Sequence, residues 1–250
     1  MSKITAKNAV VLLGGYNLST YLTTYEITEG AAPQEVTGFS DGCNNYTPGI
    51  FSASVTGNVL WDSTSDGAYA VARGYAGATS DVHLTILPEG GTAGNPSLSL
   101  PITEGGLTPS GTPAGTLNIG NLNFASMGTN EGVENGTLLH HGAVVDSTTD
   151  AGISDSVTGN LTCRCSATLH VWSACASDTY EVKVQHSDDD ITYGDLLAFT
   201  LDGSAIGSER VSAVSGTLYQ YRRVIATRTG AAGDSFGFSV HFWRDPVATT

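Results

Sequence analysis

The chain has 250 residues, of which 14% are charged and 31 are glycine, and its formal net charge is −14. Soluble domains usually carry about 25% charged residues, so this composition favours short strands joined by many turns and argues against long surface helices. The excess of acidic residues also argues against tight binding to nucleic acid, which requires a basic surface.

The first half of the chain is predicted to form short strands separated by polar and glycine-rich loops. The expected strands cover residues 18–27, 34–39, 50–61, 82–87, 97–103 and 115–127, and the expected loops cover 40–49 and 105–113. The clearest strand is 50–61, because its apolar residues fall on one parity and its Ser, Thr and Asn residues on the other. A period of two is typical of a strand with one buried face.

One helix is predicted, over residues 64–76. Ser63, Thr64 and Asp66 are good N-cap residues, and small apolar side chains follow at helical spacing. Gly77 then offers a stop signal.

The second half alternates more regularly than the first. Residues 128–136 show no apolar periodicity, and we expect a domain boundary there, which divides the chain into residues 1–130 and 131–250. Strands are expected over residues 161–171, 180–184, 196–200, 211–214, 218–227 and 236–242. Evenly spaced short strands without a helix indicate an antiparallel β-sandwich. The expected fold class is therefore mainly β, with two β-domains and one short helix.

The side chains that could carry catalysis lack the context that catalysis requires. Ser40 lies in a G-x-S-x-G pattern, but a loop and a strand are predicted after it, where a nucleophile elbow needs a helix. Cys163 and Cys165 lie two residues apart on a strand, which is not the usual spacing of a zinc site. His140 and His141 have no neighbour in the sequence that completes a catalytic or metal-binding set. We therefore predict that the chain is not an enzyme.

The charged runs are also better explained by local structure than by a ligand. The run 187–190 (SDDD) lacks the alternating acids, glycine and distal glutamate of a calcium-binding EF-hand loop, and we expect a hairpin turn. Arg222 and Arg223 are neighbours on a strand and so point to opposite faces. We expect no metal ion and no other cofactor.

The sequence also bears on the compartment in which the protein folds. No secretory leader is recognisable, no apolar run approaches the roughly 20 residues that span a bilayer, and four cysteines are too few for a disulfide framework. We expect synthesis in a cytoplasm and no membrane partner.

Four features of the first half occur in the same order in the tail tube proteins of siphophages, and the first half resembles that family. Residues 35–41 (EVTGFSD) are similar to the family's D-V-T-x-F-G-D segment, and residues 48–50 (PGI) then lead into a long alternating strand. One short helix follows. Residues 87–96 (LPEGGTAGNP) are similar to the family's A-P-E-G-D-x-x-G-N-P stretch, with Gly91 in place of the acid.

The second half resembles the β-domain that often follows the tube domain in such proteins. Residues 185–197 (QHSDDDITYGDLL) are similar to its Q-x-S-x-D-G-x-T-F-x-D-L hairpin, with Asp190 in place of glycine, and residues 221–224 (YRRV) to its R-Y-x-R-V strand. The resemblance implies a tail-tube-type β-sandwich or barrel with one short helix over residues 1–130. It implies an antiparallel β-sandwich, placed on the exterior, over residues 131–250.

The resemblance further implies a structural virion protein of a phage tail that is made in the host cytoplasm. Copies of the chain would form stacked, usually hexameric, rings, bind other tail proteins such as the tape measure and terminator proteins, and let genomic DNA pass without specific binding. An acidic lumen would repel the DNA phosphates. The candidate lumen residues are Glu26, Glu29, Glu35, Asp62 and Glu104. The candidates for contact with the next ring are Ser40, Asp41, Gly42, Asn44, Asn45, Tyr46 and Gly49.

Alternatives to the tube remain open at the level of the sequence. A capsid decoration or baseplate protein would share the β-rich composition. A carbohydrate-binding module would need an exposed aromatic platform, for which Trp172 and Trp243 are candidates. The tetrapeptide Val-Thr-Gly-Asn, which begins at Val55 and again at Val157, leaves open a duplication in which three chains would form a ring and both halves would line its lumen.

Overall fold

The structure is a computed structural model. It describes residues 8–31, 34–37, 43, 46–47, 51–62, 64–76, 82–110, 118–126, 132–154, 161–213, 217–230 and 233–245. Within these ranges, the protein is mainly β, as the sequence predicts, with one helix, α1 (Ala68–Tyr75). The strands in chain order are β1 (Val10–Leu13), β2 (Tyr16–Asn17), β3 (Leu22–Ala31), β4 (Gln34–Glu35), β5 (Tyr46–Thr47), β6 (Phe51–Leu60), β7 (Val82–Leu87), β8 (Pro96–Ser110), β9 (Asn118–Ser126), β10 (Glu134–Val144), β11 (Thr148–Thr149), β12 (Ile153–Ser154), β13 (Leu161–Thr162), β14 (Cys165–Ser173), β15 (Thr179–Ser187), β16 (Gly194–Ala198), β17 (Gly207–Ala213), β18 (Thr217–Leu218), β19 (Tyr221–Thr229) and β20 (Phe236–Arg244).

The chain divides into two compact units. Unit 1 consists of Met1–Thr20, Val82–Ser99 and Glu134–Thr250, and unit 2 consists of Tyr21–Asp81 and Leu100–Val133. These units differ from the two consecutive domains expected from the sequence, because two segments of the first half belong with the second half. The physical reason is strand pairing: β1 pairs with β7, and the start of β8 pairs with β10, where Ser99 lies opposite Glu134.

Unit 1 contains two antiparallel sheets with a shared apolar core. One sheet has the strand order β17-β14-β20-β10-β8-β7-β1-β2, and the other has the order β11-β19-β15-β16, with β12 also paired to β19. The core includes Leu169, Val171, Tyr180, Val182, Val184, Val224, Phe236, Phe238 and Val240. These residues come from β14 and β20 on one side and from β15 and β19 on the other, which is the sandwich that the alternating pattern predicts.

Aromatic rings form the centre of this core. Phe236 stacks against Tyr180 at 4.5 Å and against Phe238 at 4.7 Å between ring centroids. Burial of such a side chain contributes about 1.5–3 kcal/mol, and a stacked pair adds about 0.5–1.5 kcal/mol. β20 therefore contributes strongly to the stability of unit 1.

Unit 2 contains an antiparallel sheet with the order β3-β6-β9, to which the later part of β8 is paired through β9. The predicted alternation of β6 is confirmed, because Ala53, Val55 and Val59 are buried whereas Ser52 and Asn58 are exposed. Helix α1 buries its own small apolar face, and Trp61 stacks on its Tyr69 at 4.0 Å.

Several element boundaries differ from those predicted. Residues 105–110 continue β8, although a loop was expected, because they pair with β9 through two register shifts that accommodate the glycine-rich sequence. β10 occupies part of the expected linker. The helix begins at Ala68 and not at Thr64, because the Asp62 carboxylate holds residues 64–67 in a turn before it.

Candidate assembly surface

Strand β3 is a long exposed edge of the unit 2 sheet. Among the described residues, it pairs only with β6, over the register from Leu22 opposite Val59 to Ala31 opposite Phe51. Seven of its ten residues are exposed. An exposed edge of this length presents a row of backbone N–H and C=O groups that can pair with another strand. β3 is therefore the surface of unit 2 best suited to bind a second β-strand.

The register of β3 separates two of the predicted lumen residues. Glu26 lies opposite Thr56, on the polar face of the sheet, and is exposed. Glu29 lies opposite the buried Ala53, on the face of β6 that is apolar, and it is also exposed. Because neighbouring positions of a strand alternate between faces, one face of the sheet presents only one of these two carboxylates.

Most of the charged residues of unit 2 are acidic. Residues 21–81 and 100–133 contain nine acidic residues and one basic residue, which gives a net charge of −8. The basic residue is Arg73, which donates a hydrogen bond from Nη1 to the Tyr69 hydroxyl at 2.7 Å within α1. β3 and β6 contain no basic residue. The edge strand therefore belongs to a unit whose field repels anions.

Asp62 has a structural role in a turn. Its Oδ1 accepts hydrogen bonds from the backbone N–H of Thr64 at 2.9 Å and from the Thr64 hydroxyl at 2.8 Å. These bonds, with a further one from Tyr21, hold the pKa of the Asp62 carboxyl below its usual value. Its backbone oxygen also accepts the N–H of Tyr69 at 3.1 Å. Asp62 thus fixes the entry into α1.

The remaining predicted residues of this surface are only partly described. Glu35 is exposed and lies opposite Tyr46 in the β4–β5 pair, and the backbone of Glu104 lies opposite Phe124 in β8–β9. The other loop candidates, Ser40, Asp41, Gly42, Asn44, Asn45 and Gly49, lie outside the described residues. Their assignment to the lumen or to contact with the next ring stays a prediction.

The proline-glutamate-glycine stretch forms a tight connection between β7 and β8. Gly90 and Gly94 have φ values of 85° and 93°, a conformation that L side chains rarely adopt. The N–H of Gly94 donates to the Leu138 carbonyl at 2.8 Å, and the N–H of Leu138 donates to the Asn95 carbonyl at 2.9 Å. This pair of backbone hydrogen bonds holds the turn on β10, and the positive φ values give the Gly90 and Gly94 positions of the motif a local structural reason.

The glycine that replaces the family's acid in this stretch also has a physical explanation. A Cβ on Gly91 would overlap the His141 ring, with Cγ only 2.9 Å away. His141 is held in place by a hydrogen bond between its Nδ1 and the Ser239 hydroxyl at 2.5 Å. A side chain at position 91 is therefore incompatible with this position of His141.

The second sequence motif forms the predicted hairpin turn between β15 and β16. Asp190, which stands where the family has glycine, has a φ of 59° and is the one non-glycine residue with positive φ in the described part of the chain. Asp189 accepts hydrogen bonds from the backbone N–H groups of Ile191 at 2.9 Å and Thr192 at 2.8 Å. These bonds lower the pKa of the Asp189 carboxyl, with that from Thr192 the largest cause. The acidic run is thus an Asx-type turn, as expected.

The other chemical candidates occupy structural positions. Cys165 is buried, which raises the pKa of its thiol to about 11. Arg222 is buried with its guanidinium 4.9 Å from the Phe242 ring centre, whereas Arg223 lies over Tyr193 at 3.7 Å. Both guanidinium groups therefore contact an aromatic ring. Trp172 is partly buried, and its ring would meet a Cβ on Gly237 at 2.6 Å.

No group of three or more His, Cys, Asp or Glu side chains among the described residues is arranged to hold a metal ion. No helix in this part of the chain has the length and apolar character needed to cross a membrane.

Comparisons with known proteins give only distant likenesses. No protein-family model matches the sequence, and no curated protein matches it significantly. A chain of the virion of a native gene transfer agent particle matches with a TM-score of 0.42 and 17% identity, over 53% of this chain and 98% of that one. A chain from the C6-symmetric tail of an empty gene transfer agent particle matches with a TM-score of 0.38 and 15% identity, over 51% and 96%. The Dit protein of phage SPP1, a hub adsorption protein, matches with a TM-score of 0.37 and 13% identity, over 95% and 99%. Likenesses this distant do not specify a function.

Proposed function

We propose that the protein is a structural component of a phage-type virion that polymerises through unit 2 into stacked rings, usually of six copies, which form a tail tube. The observation that carries the proposal is the exposed edge of β3, in a unit with one basic residue and nine acidic residues. The tube-like sequence segments at residues 35–41 and 48–50, which belong to unit 2, support the same role.

In this proposal, β3 of one copy pairs with a strand of the next copy, and the joined sheets close into a barrel. Closure satisfies the backbone groups of the edge strand, which would otherwise promote uncontrolled aggregation. The polar face that carries Glu26 would face the lumen, where its carboxylate and the surrounding hydroxyl groups would repel DNA phosphates or leave them unbound. Unit 1 would contribute no strand to the wall of the tube.

Negative-stain microscopy of the purified protein at high concentration tests the proposal directly. Rings or hollow filaments are expected, and six copies per ring are expected if unit 2 alone forms the wall. Three copies per ring would instead support a wall built from both halves of the chain. A protein that remains monomeric at every concentration and binds capsids would contradict the tube and support a decoration protein.

A pair of proline variants in β3 separates assembly from folding. The backbone N–H groups of Ile27 and Thr28 point to opposite sides of the strand, so one points toward β6 and the other toward the open edge. A proline at either position removes the backbone N–H of that residue. We expect the variant whose missing N–H pointed toward β6 to lose stability as a monomer. We expect the variant whose missing N–H pointed toward the open edge to stay folded but form no rings. Normal rings from both variants would show that β3 is not the pairing edge.

A further inference from the structure

Unit 1 contains a buried polar seam on the side of its large sheet that faces away from the aromatic core. We define the seam as the side chains of His83, Thr85, Ser99, Thr168, His170 and His241, all of which are at most 4% exposed. They come from β7, β8, β14 and β20. Burying a polar group without a hydrogen-bond partner costs free energy, so the bonds within this layer bear on the stability of unit 1.

The hydrogen bonds of His170 require a neutral ring. The backbone N–H of Gly15 donates to Nδ1 of His170 at 3.2 Å, so Nδ1 carries no proton and Nε2 does. Nε2 then donates to the Thr85 hydroxyl at 2.8 Å, which donates to Ser99 at 3.1 Å. Protonation of Nδ1 would place its N–H against the N–H of Gly15, so that two donors would face each other at the start of this series of hydrogen bonds.

The contact between Gly15 and His170 also joins the β1–β2 turn to β14. Gly15 lies in the turn between β1 and β2, at a φ of 94°, and a Cβ there would be 2.5 Å from the Val171 oxygen and the Gly207 nitrogen. The turn is therefore pressed against β14 and β17. Nearby, the N–H of His83 donates to the Ser208 hydroxyl at 3.4 Å. The β1–β2 turn thus meets β14 at His170.

We propose that this seam is an acid-sensitive latch, which holds the β1–β2 turn against β14 and β17 while His170 is neutral and releases it when His170 is protonated. Charged groups in the described residues around the seam do not favour the imidazolium. His83 and His241 face His170 from β7 and β20, and Arg210 faces His241 from β17. Glu134 of β10 is neutralised by Arg210, whose Nη2 donates to it at 2.6 Å. From β8, the described side chains of Ser97 and Ser99 contribute hydroxyl groups to this side of the sheet.

The direction of the pH effect follows from burial. Desolvation lowers the pKa of His170 well below its usual value and that of His241 to about 3. The unfolded chain takes up these protons below a pH of about 6.5, so unit 1 loses stability as the pH falls from there toward the folded-state values. Below a pH of about 6.5, a histidine that stays neutral in the folded state raises the unfolding equilibrium constant by up to about tenfold for each pH unit of acidification.

The test compares the full-length protein with His170→Asn, in which an amide oxygen can still accept the Gly15 N–H but cannot titrate. We expect the wild-type unfolding constant to rise more steeply on acidification than that of the variant, by up to about tenfold per pH unit below about pH 6.5. A variant with the full wild-type pH dependence would overturn the proposal.

A measurement on the unmodified protein keeps the test independent of the variant's folding. Imidazole NMR titration should show His170 neutral at about pH 5, and amide exchange at Gly15 should accelerate on further acidification before exchange at the central residues of β15 and β19 does. A His170 ring that titrates near its ordinary pKa while the Gly15 amide stays protected would refute the latch.

Discussion

A glycine pair in β10 provides the sharpest test of how unit 1 is packed. Gly136 and Gly142 lie in the same strand and both lack a positive φ. A Cβ on Gly136 would overlap the carbonyl oxygen of Phe242 and lie 2.7 Å from Cε1 of His241. A Cβ on Gly142 would meet nothing closer than Nε2 of His140 at 3.6 Å, which is an ordinary contact. Gly142→Ala is therefore a matched control for Gly136→Ala.

The two substitutions should change stability in opposite directions. Gly142→Ala should stabilise by about 0.5–1 kcal/mol, because alanine loses less conformational entropy on folding than glycine does. Gly136→Ala should lower the free energy of unfolding of unit 1 by about 1–3 kcal/mol, which is the usual cost of overpacking. The nearest neighbour of the added Cβ is a backbone carbonyl of β20, which cannot rotate away. The expected difference of at least about 1.5 kcal/mol corresponds to roughly 13-fold in the unfolding equilibrium constant.

Urea unfolding followed by tryptophan fluorescence can measure this difference. Trp61 lies in unit 2, and the other two tryptophans lie in unit 1. A Trp61→Phe background therefore makes the signal specific for unit 1, which matters because a protein of two units need not unfold in one step. Equal midpoints for the two alanine variants would refute the close approach of β10 and β20 at Gly136.

Three further predictions concern local hydrogen bonds in unit 1. Glu209→Gln should lower the melting temperature more than Glu181→Gln, because the Glu209 carboxylate accepts the backbone N–H groups of residues 200 and 201 at 2.8 and 2.6 Å, whereas Glu181 is exposed. In chemical denaturation, Asp190→Val should cost about 1–2 kcal/mol at its positive φ, while Asp190→Gly should stay within about 1 kcal/mol of wild type; equal losses would contradict the left-handed turn. Because hydrogen bonding lowers the pKa of Asp189, hydrogen exchange should show the Thr192 amide still protected at the ordinary Asp value of about 3.9 and losing protection only at lower pH; loss of protection already at about pH 5 would contradict the turn.

The sequence predicts the local elements that have a clear period of two. β6, β7, β15 and β20 lie close to the predicted segments, because one face of each carries apolar side chains at alternate positions. β10 was not predicted. Its residues include two glycines and two adjacent histidines, and its burial depends on neighbours from β8 and β20 that are far away in the sequence.

The long-range features could not be read from single segments. The alternation of β14 marks Ser166, Thr168 and His170 as the polar face, and polar residues at alternate positions normally indicate solvent. Here the other strands of the sheet cover that face, so these side chains are buried. The candidate surface was predicted only in part: the acidic character of the first half is evident from the sequence, but the division of Glu26 and Glu29 between two faces depends on the register of β3 with β6.

The position of β20 in unit 1 has a consequence for the order in which the chain can fold. β20 lies between β14 and β10, although it follows every other strand in the sequence. The large sheet of unit 1 is therefore incomplete until residues 236–244 have left the ribosome, and contacts of such long sequence separation form slowly. The strands of unit 2 all lie before residue 127, so its exposed edge is present while unit 1 still lacks its central strand. During synthesis, the chain thus exposes the edge of β3 before unit 1 is fully folded. The rate at which β20 docks limits how long this edge and the incomplete large sheet of unit 1 are exposed together.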